Sequence, residues 1–214
     1  MRLMNFDQQV HVFDPTLARP LTIIGAGQVG SQLAMAVAKM GCTDVCVWDD
    51  DVVASHNPPA SEYRKCDILR PKVEALAEII REATGVEMVT CNRRYTGEPL
   101  NTAVASCVDG MDERKTIWER VKRNPLVGFF VDTRVAEEYI EVFAIETCNP
   151  EDIAFYEAFL YPSKEALTPF CGRHGAKHVG GTAAYAACAA LTQWWKSCRP
   201  KRHLKMLCGH FQEV

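Results

Sequence analysis

Short apolar runs and helical spacings alternate along the first two thirds of the chain. Apolar runs bounded by glycine, proline or polar residues predict buried strands at 21–24, 44–48, 86–91, 103–107 and 126–131. Apolar positions three and four residues apart predict helices at 28–40, 70–83 and 113–122. Strands that alternate with helices through short connections form a parallel sheet covered on both faces. The pattern therefore predicts an α/β, Rossmann-like fold.

The last third of the chain follows a different pattern. Residues 139–147 alternate between apolar and polar, as a half-exposed strand does, and residues 153–161 are interpreted as a second such strand. An alanine-rich stretch at 178–197 predicts a buried helix, and 204–208 a last edge strand. We expect one domain over 1–214, with an N-terminal segment (1–20), a nucleotide-binding part (21–135) and an antiparallel extension with a crossover loop and a C-terminal helix (136–214).

Composition narrows the functional classes only slightly. The 214 residues are 48% hydrophobic and 24% charged, and the net charge of −3 does not favour nucleic acid or an anionic membrane as a partner. The N-terminus lacks the apolar region of a secretory signal and no apolar run is long enough to span a bilayer, so we expect a cytoplasmic protein. The ten cysteines include no C-x-x-C pair, which argues against structural zinc and predicts free thiols.

A glycine loop joins the first strand to the first helix. Its sequence G-A-G-Q-V-G consists of Gly25, Ala26, Gly27, Gln28, Val29 and Gly30. In a dinucleotide-binding fingerprint the first glycine makes the turn, the second admits a phosphate and the third lets helix and strand pack. The N-terminus of the helix adds free N–H groups and a positive dipole. A structural glycine turn is the alternative to a nucleotide site.

Polar residues lie after the second strand, at the start of the second helix and after the strand at 103–107, where a nucleotide would need them. Asp49 ends the second strand, as an acid that binds ribose hydroxyls does, and this alone fits either NAD or ATP. Asp51 and then Asn57 come next, and Lys72 lies in the first turn of the following helix. Asp109 follows the strand at 103–107. An oxidoreductase needs only the first of these acids, so the whole set favours ATP.

This set resembles the ThiF/MoeB/ubiquitin-activating-enzyme superfamily of ATP-dependent adenylating enzymes over about residues 20–135. The family pattern is a glycine loop, D-x-D, N-x-x-R-Q, a lysine in P-K-(V/A)-E, and T-D-N-x-x-x-R. The matching positions here are 25–30, Asp49 with Asp51, Asn57, Lys72 in "PKVE", and Asp109 with Arg114.

The resemblance implies a function and a role for each matching residue. It implies an adenylyltransferase that uses ATP and Mg²⁺ to activate the C-terminal carboxylate of a ubiquitin-like protein or peptide, in a homodimer. Asp49 would bind the ribose, Asn57 the nucleotide, Lys72 the phosphates and Asp109 the magnesium ion. Asp51 would lie nearer the phosphates or the metal.

Three positions depart from the family pattern. Ala60 and Ser61 stand where the family has arginine and glutamine, and Gly110 replaces an asparagine. Arg64 is the expected substitute for the phosphate-binding arginine. Arg134, at the end of a predicted strand, either points into the same cleft or is a surface residue. The chain also looks short for the family, as a stand-alone member would be.

Cys171 has three open interpretations. The first is a nucleophile that forms a thioester with the activated carboxylate or carries a persulfide, its thiolate favoured by Arg173 and a protonated His174. The second is a metal ligand with His174 and His178, which would still need a fourth ligand. The third is a packed loop thiol. For the chain as a whole, the alternatives to an active adenylyltransferase are a catalytically impaired E1-like nucleotide-binding partner and an NAD(P)-dependent oxidoreductase or sensor.

Overall fold

A computed structural model describes residues 4–162 and 176–208. Seven strands form one sheet in the order β3-β2-β1-β4-β5-β6-β7. The strands are β1 (Leu21–Ile24), β2 (Val45–Trp48), β3 (Val89–Cys91), β4 (Ala103–Ser106), β5 (Phe129–Ala136), β6 (Tyr139–Glu146) and β7 (His203–Leu207). Strands β1 to β5 pair in parallel, whereas β6 and β7 are antiparallel. The prediction of a mostly parallel sheet with an antiparallel C-terminal extension is confirmed.

Within the described ranges five α-helices cover the sheet: α1 (Gln28–Lys39), α2 (Lys72–Thr84), α3 (Met111–Val121), α4 (Pro150–Glu157) and α5 (Lys177–Trp195). Apolar residues of α1, α2 and α5 form one core with Leu21, Ile23 and other side chains of one sheet face. Residues of α3 and α4 form a second core with Ile24, Phe130 and Phe143 on the opposite face. Alternate residues of the central strands therefore serve two cores, which is why these strands are mostly apolar.

The strand predicted at 153–161 is wrong, because most of this segment belongs to helix α4. The side chain of Asn149 accepts a hydrogen bond from the N–H of Glu151, and Pro150 occupies the first helical position. Both features start helices. Tyr156 then packs edge-on against Trp118 and Phe130, with ring centroids 4.8 and 5.4 Å apart. Phe155 and Tyr156, which suggest a strand in sequence, thus pack on the inner side of a short helix.

Other elements differ from the predictions only at their ends. Strand β5 starts later and ends later than the predicted 126–131, because it continues beside β6 through eight paired residues. Strand β3 is shorter than predicted, and the last strand lies at 203–207. In the described ranges no helix is both long enough and apolar enough to cross a membrane.

Candidate active site

The glycine loop follows β1, at the point where the strand order of the sheet reverses. Strand β1 is paired with β2 on one side and with β4 on the other, both in parallel. The N–H of Gly25 donates to the carbonyl of Trp48 at 2.8 Å, and the N–H of Cys107 donates to the carbonyl of Ile24 at 2.8 Å. The carboxyl ends of the three strands therefore meet around the loop. Ligands of open α/β sheets bind in the crevice at this position.

The three glycines of the loop are there for different reasons. Gly25 has a φ of +95°, and a Cβ there would lie 2.6 Å from the carbonyl oxygen of Cys107. A Cβ on Gly30 would lie 1.9 Å from the carbonyl oxygen of Gly25. A Cβ on Gly27 would have nothing within 4 Å. The fold itself requires the first and third glycines, whereas the second leaves open space beside the first turn of α1.

Neighbouring residues of the loop serve the fold. Val29 packs in the core. The hydroxyl of Tyr63, a buried residue that the sequence analysis missed, donates to the carbonyl of Ala26 at 2.5 Å. The side chain of Gln28 donates to the carbonyl of Ala176 at 2.9 Å, which ties the loop to α5. These contacts hold the loop in one conformation before any ligand arrives.

Asp49 and Lys72 meet beside the glycine loop. One carboxylate oxygen of Asp49 accepts from the N–H of Ala26 at 2.6 Å, and the other accepts from the N–H of Asp51 at 2.8 Å. The Nζ of Lys72 lies 2.6 Å from Asp51 Oδ2 and 3.8 Å from Asp49 Oδ1. The Lys72 side chain is only 10% exposed, and lysine is rarely buried without a partner.

The backbone places this lysine. The N–H of Lys72 donates to the carbonyl of Asp51 at 2.9 Å, and the N–H of Val53 donates to the carbonyl of Arg70 at 2.8 Å. The segment that leads into α2 is thereby held against the segment that follows β2. The lysine and the acids of the "DDD" run are brought together by this pairing, which sequence spacing alone does not reveal.

The three aspartates have three environments. Asp49 is half-buried against the loop and Asp51 holds Lys72, whereas Asp50 forms an ion pair with Arg94 at 3.5 Å. Oxygens of the three carboxylates lie within 4.8 Å of one another, close enough to share a cation. The Lys72 ammonium already lies at this cluster, so the cluster by itself does not indicate a metal site.

Asn57 and the residues after it form a turn that packs on α1. The side-chain oxygen of Asn57 accepts from the N–H of Ala54 at 2.8 Å, and Ser61 Oγ donates to the carbonyl of Asn57 at 2.6 Å. Gln32 Nε2 donates to the carbonyl of Ala60 at 3.3 Å. Ser61 is buried. The side chains that replace the family's arginine and glutamine are thus part of the turn, and Ala60 brings no cation to it.

Arg64 is engaged by carboxylates. Its Nε lies 3.0 Å from Asp67 Oδ2, and its Nη1 lies 2.6 Å from Glu82 Oε2. Hydrogen bonding to Asp67 raises the pKa of Arg64. Burial alone would raise the pKa of Asp67, but the hydrogen bonds from Arg64 and the charge of Arg70 hold that pKa below its ordinary value. A phosphate contact of Arg64 stays a prediction, and it would require these ion pairs to break.

Asp109 and Arg114 lie near each other in sequence but point to different environments. Asp109 is exposed just before Gly110, the N-cap of α3, and its carboxylate makes no hydrogen bond or ion pair to the described part of the chain. Arg114 is buried, and its guanidinium binds Asp132 and the carbonyls of Thr133 and Val108. Asp109 is therefore available to a ligand, whereas the Arg114 guanidinium is used by the fold.

Asp132 is a fully buried acid that the sequence analysis missed. Besides Arg114, it accepts from Arg134 Nε at 2.9 Å. Arg134 also donates to the carbonyl of Phe159 at 3.2 Å and lies over the ring of Phe143 at 4.5 Å. Arg134 is therefore neither an open cleft residue nor a surface residue, because it neutralises a buried carboxylate. The single acid in the apolar stretch "FFVDTRV" was the available signal.

The predicted nucleophile Cys171 lies outside the described residues, as does His174. His178 is exposed in the first turn of α5. Among the described thiols, Cys107 directly follows β4 at the candidate site. Burial raises the pKa of Cys107 to about 12, so it is a thiol and not a thiolate at neutral pH.

Comparison with known proteins decides the family. The family model described as "ThiF family" matches residues 18–203, which is most of the chain. The chain belongs to the ThiF family. This assignment agrees with the resemblance seen in the motifs, and it extends that resemblance to β6 and α5.

Solved structures show the same fold. This chain is similar to E. coli MccB with ATP (TM-score 0.70, 13% identity), and the alignment covers 95% of this chain and 64% of that one. It is similar to E. coli MccB with AMPCPP and MccA (TM-score 0.68, 12% identity, 95% and 64% covered). It is also similar to PaaA (TM-score 0.73, 13% identity, 92% and 63% covered). The chain thus spans less than two thirds of the length of these proteins. The search of curated proteins found no match.

Proposed function

We propose that this ThiF-family chain is an ATP-dependent adenylyltransferase. The observation that carries the proposal is the continuous contact from the glycine loop through Asp49 to Lys72. The N–H of Ala26 lies 2.6 Å from Asp49, whose other oxygen lies 3.8 Å from the Lys72 ammonium. The carboxylate of Asp49, the acid proposed to bind the ribose, thus connects the loop proposed to bind the phosphates with a buried cation. An NAD-dependent site has no need for the lysine.

The proposed reaction transfers an adenylyl group to a carboxylate. A carboxylate oxygen of the second substrate attacks the α-phosphorus of ATP, and a new P–O bond forms. The bond from the α-phosphorus to the bridging oxygen breaks, and pyrophosphate leaves with that electron pair. Two anions must approach each other, so catalysis depends on donors and cations placed around the phosphates.

The residues at the site match this demand. The first turn of α1 and the open space at Gly27 offer backbone N–H groups to the phosphates. Lys72 uses one of its three ammonium donors on Asp51, which leaves donors for a phosphate oxygen. Asp49 has further lone pairs for ribose hydroxyls, since each carboxylate oxygen accepts more than one hydrogen bond.

Mg²⁺ fits the donor chemistry at Asp109. The carboxylate is exposed and without a protein partner in the described ranges, and Mg²⁺ is commonly held by one or two carboxylates together with phosphate oxygens. When bound, the ion would neutralise phosphate charge. We include Asp109 in the proposal as its protein ligand.

For the second substrate we propose a C-terminal carboxylate of a peptide or of a ubiquitin-like protein. Structures of E. coli MccB are described with ATP and with MccA, so these neighbours bind a nucleotide and a second molecule. Our proposal transfers this two-substrate arrangement to the present chain. A homodimer, as the family resemblance implies, belongs to the same proposal.

A specific observation favours one rival. Ala60 places no cation in the turn after Asn57, and Arg64 is held by Asp67 and Glu82. A chain with too little positive charge around the triphosphate would bind nucleotide without catalysing transfer. The rival is therefore a nucleotide-binding partner that lacks activity.

The test has two readouts. Calorimetry compares the binding of ATP and NAD, and ATP–pyrophosphate exchange is then measured with peptides that have free C-terminal carboxylates. We expect ATP binding and exchange, with a loss of about 100-fold in exchange for Lys72→Ala because a buried donor to the transition state is removed. The matched control Lys65→Ala removes an exposed lysine and should change little.

Three results would separate the alternatives. NAD binding without ATP binding refutes the proposal. ATP binding without exchange across the peptide set supports the inactive partner. Equal exchange in Lys72→Ala and in the wild type means that the buried lysine does not act on the phosphates.

A further inference from the structure

Helices α1 and α5 pack side by side in the same direction. Gln28 contacts Ala176 at the start of both helices, and Met40 contacts Cys188 further along, where their sulfurs lie 3.2 Å apart. A Cβ on Gly180 would lie 2.4 Å from Cγ of Gln28, so glycine is needed at this contact. The N-terminus of α5 is therefore brought next to the N-terminus of α1, the helix that follows the glycine loop.

Two adjacent N-termini concentrate positive potential. Each helix N-terminus carries roughly half an elementary charge, and parallel neighbours repel each other at their ends. Neither first turn contains an acidic residue, and neither helix has a side-chain N-cap hydrogen bond within the described residues. Neither helix therefore supplies an acid from its own first turn to its N-terminus.

Lys177 adds a full positive charge at the same end. It is the first residue of α5, and its Nζ lies 2.8 Å from the carbonyl oxygen of Ser61 and 3.2 Å from Glu62 Oε1. Ser61 in turn bonds to Asn57, the residue expected to support the nucleotide. Lys177 therefore reaches across from α5 to the turn that follows Asn57, the turn in which Ala60 provides no charge.

We propose that Lys177 binds the phosphates of ATP beyond the α-phosphate and so supplies, from another helix, the cation that the turn after Asn57 lacks. This inference rests on the proposed function, because it adds a residue to the same nucleotide site. Glu62 holds the ammonium while no nucleotide is bound, and the phosphates replace that carboxylate as its partner. The lysine side chain is 52% exposed and reaches a new partner without disturbing the core.

A purely structural role is the competing explanation. In that case Lys177 and Glu62 form an ion pair that fastens α5 to the turn, and removing either partner should have the same consequence. If Lys177 binds phosphate, Glu62 is instead a competitor for the ammonium. The two explanations thus predict opposite results for the substitution of Glu62.

The experiment compares Lys177→Ala, Lys177→Arg and Glu62→Gln with the wild type in calorimetric titrations with ATP and AMP. We expect Lys177→Ala to weaken ATP binding about tenfold, the lower range for a hydrogen bond to a charged group, and to change AMP binding less than about twofold. Lys177→Arg should retain ATP binding. Glu62→Gln should bind ATP as tightly as the wild type or more tightly.

Two results would overturn the inference. They are unchanged ATP binding in Lys177→Ala, and equal weakening by Lys177→Ala and Glu62→Gln. Lys72→Ala is measured in parallel, so that a failure of this inference can be distinguished from a failure of the proposed function. If ATP binding depends on Lys72 and not on Lys177, only the inference falls; if the wild type binds no ATP, both fall.

Discussion

Alanine at Gly27 tests whether the open space in the glycine loop is a ligand site. The backbone of Gly27 has a φ of −75°, and a Cβ there meets no atom within 4 Å. A methyl group in open space should change the free energy of unfolding by no more than about 1 kcal/mol. The same methyl group would occupy space beside the N–H groups of the first turn of α1.

The expected cost therefore falls on binding and not on folding. A phosphate pushed away from one of these N–H groups loses a charge-assisted hydrogen bond of about 1.5–3 kcal/mol, which is tenfold or more in ATP affinity. Gly30→Ala is the contrasting variant. Its Cβ would lie 1.9 Å from a backbone oxygen, so helix and strand must shift, at a cost of about 3 kcal/mol or more.

Both variants are measured by urea unfolding and by calorimetric titration with ATP. The reasoning requires Gly27→Ala to remain as stable as the wild type and to bind ATP at least about tenfold more weakly. It is refuted if Gly27→Ala is stable and binds ATP as the wild type does. It is also refuted if Gly30→Ala unfolds at the wild-type urea concentration, since the close approach would then not constrain the loop.

Three further predictions concern residues around the site. Arg114→Ala should lower the free energy of unfolding, measured by urea titration, by about 3 kcal/mol because it removes a partner of the buried Asp132. Lys122→Ala breaks half-exposed ion pairs and should cost less than about 1 kcal/mol in the same titration. Equal costs for the two variants would contradict this reasoning. Asp67→Asn should cost about 2 kcal/mol at pH 7. The pKa of Asp67 is lowered in the folded protein, so the stability that its carboxylate contributes is present above the unfolded pKa of about 3.9 and is lost as pH falls through the folded pKa. A stability difference between Asp67→Asn and the wild type that persists in urea titrations at acid pH would contradict this. Asp109→Asn should raise the Mg²⁺ concentration needed for pyrophosphate exchange, whereas the neighbouring Asp112→Asn should not; an unchanged magnesium titration argues against Asp109 as a ligand.

Much of the fold follows from local sequence features. The apolar runs locate all five parallel strands, and the central strands are mostly apolar because they are buried on both faces. The segment at 153–161 suggests a strand because Asn149 and Pro150, which start the helix, lie just outside its apolar run. Short apolar runs do not distinguish a strand from a buried helix by periodicity alone.

The candidate site could be predicted from sequence where its residues belong to one strand–helix–strand unit. The glycine loop and Asp49 belong to a single strand–helix–strand unit with fixed spacing, so their neighbourhood could be inferred. The partners of Arg64 and Arg114 could not be inferred. Arg64 meets Glu82 near the C-terminal end of α2, and Arg114 meets Asp132 on β5, contacts that depend on how elements pack.

The sequence alone thus determined the class of fold, the glycine loop and the family, because periodicity, glycine positions and short motifs are local properties. Tertiary structure decided which charged groups remain available to a nucleotide. Folding turned Arg114 and Arg134 inward to neutralise Asp132, tied Arg64 to Asp67, buried Lys72 beside Asp51 and brought Lys177 to the turn after Asn57. Charged side chains that are distant in sequence become neighbours only when the helices pack on the sheet, so the tertiary structure determines which ion pairs form.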